Sequence, residues 1–146
     1  MMITPLSQDQ LDQVVAIEAE DGDAHWSRDQ FVKELGGEFR RFFVAVEPTG
    51  PDILGYGGYW KAASEAQITN LVVRRNFRCR GIGRRLLEFI LDCARGEECR
   101  TCTLEVRAAN RHAQSLYKSV GFTPQGTRKN IYQNPPDDAV LMEIAL

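Results

Sequence analysis

The sequence predicts an α/β domain, α+β in layout, in which a mixed and mostly antiparallel sheet is flanked by helices. Three observations carry this. Two helix-start signals precede three strand-like segments separated by turns. A strand, a glycine-rich turn and an amphipathic helix then follow without a break. The chain has 146 residues and no linker, repeat or low-complexity segment, so residues 1–146 read as a single domain.

The elements follow in order. Ser7 and Gln10 fit a capping box, with Leu6 and Leu11 as its hydrophobic staple. Leu11, Val14, Val15 and Glu18 continue at helical spacing. Ser27 and Gln30 repeat the box, Trp26 and Phe31 repeat the staple, and Gly36-Gly37 ends that helix. The connection between the helices, "EAEDGD", is acidic and reads as a solvated loop.

Three strand patterns come next: "FFVAV" from Phe42, "ILGYGGYW" after a Pro/Gly turn, and "AQITNLVV" from Ala66 to Val73. They are expected to form an antiparallel meander. The glycines of the second mark a bulge or a close approach. A helix follows, with Leu87, Ile90, Leu91 and Ala94 on one stripe. "CTLEV" is a strand, and Asn110 to Val120 is a helix closed by Gly121. "NIYQNPPDD" reads as a loop and "AVLMEIAL" as the last strand, with an extra short strand near Phe122 to Gly126.

Composition narrows the classes. At 43% hydrophobic and 26% charged residues, the chain has enough apolar content for a buried core. No apolar run approaches the ~20 residues that span a bilayer, so no membrane association is expected. "MMITPLSQDQ" lacks the basic-then-apolar pattern of a secretory signal, so the cytoplasm is the expected compartment. Cys99 and Cys102 form a C-x-x-C, but a zinc site needs about four ligands, and only His25 and His112 could supplement Cys79 and Cys93. The expected state is four reduced thiols and no metal.

The stretch from Arg74 to Arg85 holds six arginines and two glycines in a chain of net charge −2. A strand, a glycine turn and a helix start together make an anion site, because the first amides of a helix are unpaired and its dipole is positive there. Gly81 and Gly83 allow close backbone approach, and Arg78, Arg80 and Arg84 add forked donors suited to phosphate oxygens. A pyrophosphate fits this description. A P-loop lysine is missing, and Leu86 stands where a dinucleotide-binding turn needs its third glycine. The alternative is a helix start with a basic, solvated flank. Nucleic acid ranks lower, since the cluster is short and the rest of the chain is acidic on balance.

"RNFRCRGIG" resembles the R-x-x-G-x-G phosphate-binding motif of the GCN5-related N-acetyltransferase (GNAT) superfamily, with Arg78, Gly81 and Gly83 in its fixed positions. "ITNLVV" looks like that family's cofactor strand. "LEVRAANRHAQSLYKSVGF" is similar to its second motif, with Asn110, Ala113, Leu116, Tyr117, Gly121 and Phe122 in step. "HWSRDQF", "TLEVRAAN" and "DDAVLM" resemble the RimI-like branch, the ribosomal-protein-alanine N-acetyltransferases. The resemblance implies a GNAT fold, acetyl-CoA as co-substrate, and the N-terminal α-amine of a ribosomal protein as acceptor. His25 departs from the proline usual before Trp-Ser, Ile131-Tyr132 replaces two adjacent tyrosines, and the following loop looks shorter. A lysine side chain, a small-molecule amine and a non-catalytic acyl-CoA-binding module therefore stay open.

Site residues follow. Glu105 lies mid-strand between apolar neighbours, where a carboxylate is costly to bury. It reads as a general base or as the partner of Arg107 or another cation, and the resemblance favours the base. By periodicity Tyr117 belongs to the core stripe of Ala113, Leu116 and Val120; the resemblance implies that it protonates the departing coenzyme A thiolate. It also implies that backbone groups of Leu71, Val72 and Val73 hold the pantetheine arm. The amides from Cys79 through Arg80, Gly81, Ile82 and Gly83 to Arg84 would hold the pyrophosphate. Asn110 reads as a helix cap, and the resemblance implies that it also contacts the cofactor. Glu18, Glu20, Asp21 and Asp23 are rival acids whose expected state is solvated.

Overall fold

The computed structural model describes residues 1–50 and 52–146. Its elements are β1 (Met2–Pro5), a 3₁₀ turn (Gln8–Gln10), α1 (Leu11–Asp21), α2 (Arg28–Leu35), β2 (Arg40–Val46), β3 (Ile53–Ala62) and β4 (Glu65–Val73). After a second 3₁₀ turn (Arg75–Phe77) come α3 (Ile82–Gly96), β5 (Thr101–Arg107), α4 (Arg111–Val120), β6 (Thr123–Gln133) and β7 (Pro136–Ala145). The strands form one sheet in the order β1-β2-β3-β4-β5-β7-β6. Only β4 and β5 run parallel, so the sheet is mixed and mostly antiparallel, as expected.

Local chemistry explains the helices. The Ser7–Gln10 capping box forms in both directions and opens the turn leading into α1. Ser27 caps α2 by accepting the Gln30 amide at 3.2 Å. Trp26 meets Phe31 edge-on at 5.2 Å, so the second staple is also present. Leu11, Val14, Ile17 and Phe31 pack against Val44, Tyr56 and Val72 on one face of the sheet. Leu87, Ile90, Leu91 and Tyr117, from α3 and α4, pack against Ile68, Leu104 and Met142 on the other.

Three expectations are corrected. β1, too short to show a pattern, pairs with β2 and adds an edge strand. "NIYQNPPDD" is mostly not a loop: its ends belong to β6 and β7, and only a tight turn separates them. Irregular pairing of β6 with β7 between Arg128 and Tyr132 hides that strand from any period-2 pattern. The acidic connection is largely helical, because α1 runs on through Asp21.

One irregularity matters most. β3 and β4 pair Gly58 with Asn70 and Tyr59 with Ile68, so Thr69 is an extra residue in β4. Such a bulge bends the strand and breaks its side-chain alternation. Ile68 packs on the α3 face, whereas Val72 packs against α1 and α2 on the opposite one. Gly58 lies across from the bulge, and a Cβ there would come 2.7 Å from the Arg41 carbonyl oxygen, as well as meeting the Phe42 ring. Gly58→Ala should lower stability by about 1–3 kcal/mol. In urea unfolding the midpoint should fall at an unchanged m-value.

Candidate active site

β4 and β5 are paired from Glu65/Thr101 to Ile68/Leu104 and no further. Beyond that point β4 keeps β3, and β5 keeps β7, but their facing edges separate. A cleft of about 840 Å³ fills the gap. It opens toward both faces of the sheet. Ile82, Gly83, Arg84, Leu116 and Tyr117 line it from the side of α3 and α4, and Glu18, Asp21, Asp23 and Tyr132 line it from the other.

The first side is an anion cradle. Gly81 caps α3 in the left-handed conformation (φ +80°), where a side chain would be strained and where an added Cβ would meet nothing. Arg85 N is the first helix amide bonded, to Gly81 O at 3.1 Å. The amides just before it are the unpaired donors of a helix start. Arg78 donates Nε to the Val73 carbonyl at 3.2 Å, tying the turn to the end of β4. Arg84 donates to the Ser119 hydroxyl. Arg80 is not among the lining residues; its guanidinium lies 5.3 Å over the Phe77 ring.

The second side carries the acids. Glu105, on β5, accepts from Arg128 at 2.5 Å. Its cation is therefore not Arg107, which is nearly buried and bonded to Asp23 at 2.9 Å and to the Pro135 carbonyl at 2.7 Å. Arg107 also sits 4.4 Å over the Tyr132 ring. Burial, with Asp23 adding to it, pushes the Tyr132 phenol up to about 12. Asp21 lies near Arg75 and Arg78, at 3.6 and 3.8 Å.

Of the residues singled out from sequence, Leu71, Val72, Val73, Arg78, Cys79, Gly81, Ile82, Gly83, Arg84, Glu105, Asn110 and Tyr117 all line this one cleft. Asn110 caps α4 by accepting the Ala113 amide at 3.1 Å. Tyr117 is 8% exposed, packs on Phe122, and its phenol is raised by burial, so it stays protonated at neutral pH.

The profile of the Acetyltransferase (GNAT) family matches residues 10–122. The chain belongs to the GNAT acetyltransferase family. It is 33% identical over 136 residues to a putative [ribosomal protein bS18]-alanine N-acetyltransferase of Bacillus subtilis, covering 93% of this chain and 89% of that one. The crystal structure of the ribosomal-protein-S18-alanine N-acetyltransferase from Escherichia coli superposes with a TM-score of 0.89 at 28% identity, over 99% of this chain and 92% of that one. Arabidopsis thaliana NAA60, solved with acetyl-CoA, shares the fold with a TM-score of 0.89 at 19% identity, over 99% and 98% of the two chains.

As a GNAT acyltransferase the protein draws its acetyl group from acetyl-CoA, and the cleft fits that co-substrate. β4 offers an unpaired backbone edge to the amide-bearing pantetheine arm, and the turn before α3 offers donors to phosphates. No cluster of His, Cys, Asp or Glu that could hold a metal forms among the described residues. All four cysteines are free thiols, and burial pushes Cys102 up to about 12.

The sequence reading omits Asn70 and expects Glu18 to be solvated. Glu18 is not solvated but fully buried. Its carboxylate accepts from the Tyr56 hydroxyl, from Asn70 Nδ2 at 3.0 Å and from the His25 amide at 3.1 Å. The signal was its place on the apolar stripe of α1. Asn70 is 5% exposed, and its signal was a polar residue alternating with Ile68 and Val72. Tyr56→Phe removes one donor from a buried carboxylate and should cost about 1–3 kcal/mol in urea unfolding. Tyr132→Phe, at a half-buried phenol outside that network, should cost less.

Proposed function

We propose that this enzyme transfers the acetyl group of acetyl-CoA to the α-amine of an N-terminal alanine on a ribosomal protein, in the cytoplasm. The observation that carries this is the placement of Glu105 and Tyr117 on one cleft, in a chain whose near-full-length relatives are named for that activity.

Each residue has a definite task. The amides from Cys79 to Arg84, backed by the positive charge of the turn, hold the pyrophosphate. Backbone groups of Leu71, Val72 and Val73 hold the pantetheine arm as an added strand, and an amide there polarises the thioester carbonyl. Acetyl-CoA supplies the activated acyl group. Glu105 takes a proton from the amine, directly or through water. Tyr117, held protonated by its burial, gives the phenolic proton to the departing sulfur. Asn110 fixes the start of α4 and so the position of Tyr117.

A free α-amine suits this machinery. Its pKa is ~8 against ~10.4 for lysine, so at neutral pH on the order of one α-amine in ten is already neutral. A second reading, a lysine or small-molecule amine, is favoured by Ile131. It is 38% exposed, where the family pattern holds a tyrosine.

Thiol release from acetyl-CoA with two peptides tests the acceptor. One starts with a free alanine and lacks lysine; the other is N-terminally blocked and has one lysine. Release with the first alone is expected, and release with the second alone would move the protein to lysine acetylation. Tyr117→Phe should lower kcat on the order of 10²-fold with the KM for acetyl-CoA nearly unchanged. Glu105→Gln should lose most activity at low pH, where more of the amine needs deprotonation; a uniform loss at all pH values would count against a base.

A further inference from the structure

The cleft acids differ in one respect. Asp21, Asp23 and Glu105 each face an arginine. Among the described residues Glu18 does not: the groups bonded to its carboxylate are the neutral donors of Tyr56, Asn70 and His25. A buried carboxylate is held by hydrogen bonds here, but its charge is not cancelled by a neighbouring cation.

Asn70 shows where that charge acts. Its Nδ2 is committed to Glu18, which fixes the amide with Oδ1 on the opposite side. Among the described residues, buried Oδ1 accepts no hydrogen bond. Buried polar atoms are satisfied in the great majority of cases, so an unpartnered acceptor on a residue that lines the cleft marks a place for a donor. A cationic donor fits best, because the carboxylate behind the amide favours positive charge at that point. The Thr69 bulge is what puts Asn70 there, on β4 where its facing edge has left β5.

We infer that Asn70 and Glu18 form the recognition site for the protonated amine of the acceptor, Asn70 Oδ1 receiving an N–H and Glu18 acting through Asn70 as counter-charge and positioning residue. This rests on the acceptor reading above and names the residues that select it. The site docks the ammonium; Glu105 then removes its proton.

Binding tests this without turnover. The enzyme is loaded with coenzyme A, which has no acetyl group to give. It is then titrated with three lysine-free peptides of one sequence: free N-terminal alanine, Nα-acetylated alanine, and lactic acid in place of alanine, which replaces the amine by a hydroxyl. Wild type should bind the free-amine peptide at least tenfold more tightly than the other two. Glu18→Gln and Asn70→Leu should remove that preference and leave affinity for the acetylated peptide within twofold. In steady state both should raise the KM for the alanyl peptide, with the KM for acetyl-CoA unchanged.

Equal wild-type affinity for the three peptides, or no measurable affinity for the alanyl one, would overturn the inference without any variant having to fold. Equal losses for all three peptides in a folded Glu18→Gln would reduce the pair to a structural role and overturn it too. The acceptor reading fails separately: it falls if wild type does not acetylate the alanyl peptide, and it stands if turnover persists while these preferences are absent.

Discussion

The working end of this molecule depends on the parting of two parallel strands. β4 and β5 share hydrogen bonds over four register positions and then separate. Inside a sheet, backbone N–H and C=O groups that lose their neighbour must find another partner. The gap supplies that need with space, so a chain carrying its own amides can lie where the next strand would have been. Bulge and gap are adjacent in β4, at Thr69 and just past Ile68. The bend of the strand and the opening of the sheet are one event.

Because the gap passes through the sheet, its two mouths have different chemistry. Toward α3 and α4 there are arginines and unpaired helix amides, suited to phosphate. Toward α1 and the β6–β7 hairpin there are carboxylates, suited to an amine. The chain's slight overall acidity conceals this division. Mutual pairing quiets much of the second mouth: Asp23 with Arg107, Glu105 with Arg128, Asp21 with two arginines. What remains uncompensated is small and localised, which favours one geometry of approach over general attraction.

Much of this was legible in the sequence because local rules decided it. Capping boxes and staples placed α1 and α2, and the glycine turn before an amphipathic stripe placed the phosphate side. The illegible parts are those where tertiary contact overrides local pattern. β6 is almost wholly exposed and irregularly paired, so no alternation marks it. Glu18 read as a solvated acid because an isolated charge favours water; only Tyr56 and Asn70, from two strands distant in sequence, make its burial affordable. Glu105 reads as a base, with pairing to Arg107 or another cation as the alternative; the cation beside it is Arg128, 23 residues away on β6 and beyond the reach of any local pattern.

The extra residue in β4 also bears on how such a chain tolerates change over generations. A substitution at Thr69 alters one side chain on the cleft wall. Loss of that codon would leave Tyr59/Ile68 and Gly58/Asn70 as successive pairs on their present faces, and would remove the bend at which β4 parts from β5. Without that bend the pairing of β4 with β5 would run on past Ile68 and close the gap that holds the cleft. The length of this segment is therefore more constrained than its composition, and related chains should vary in residue identity here far more freely than in residue count.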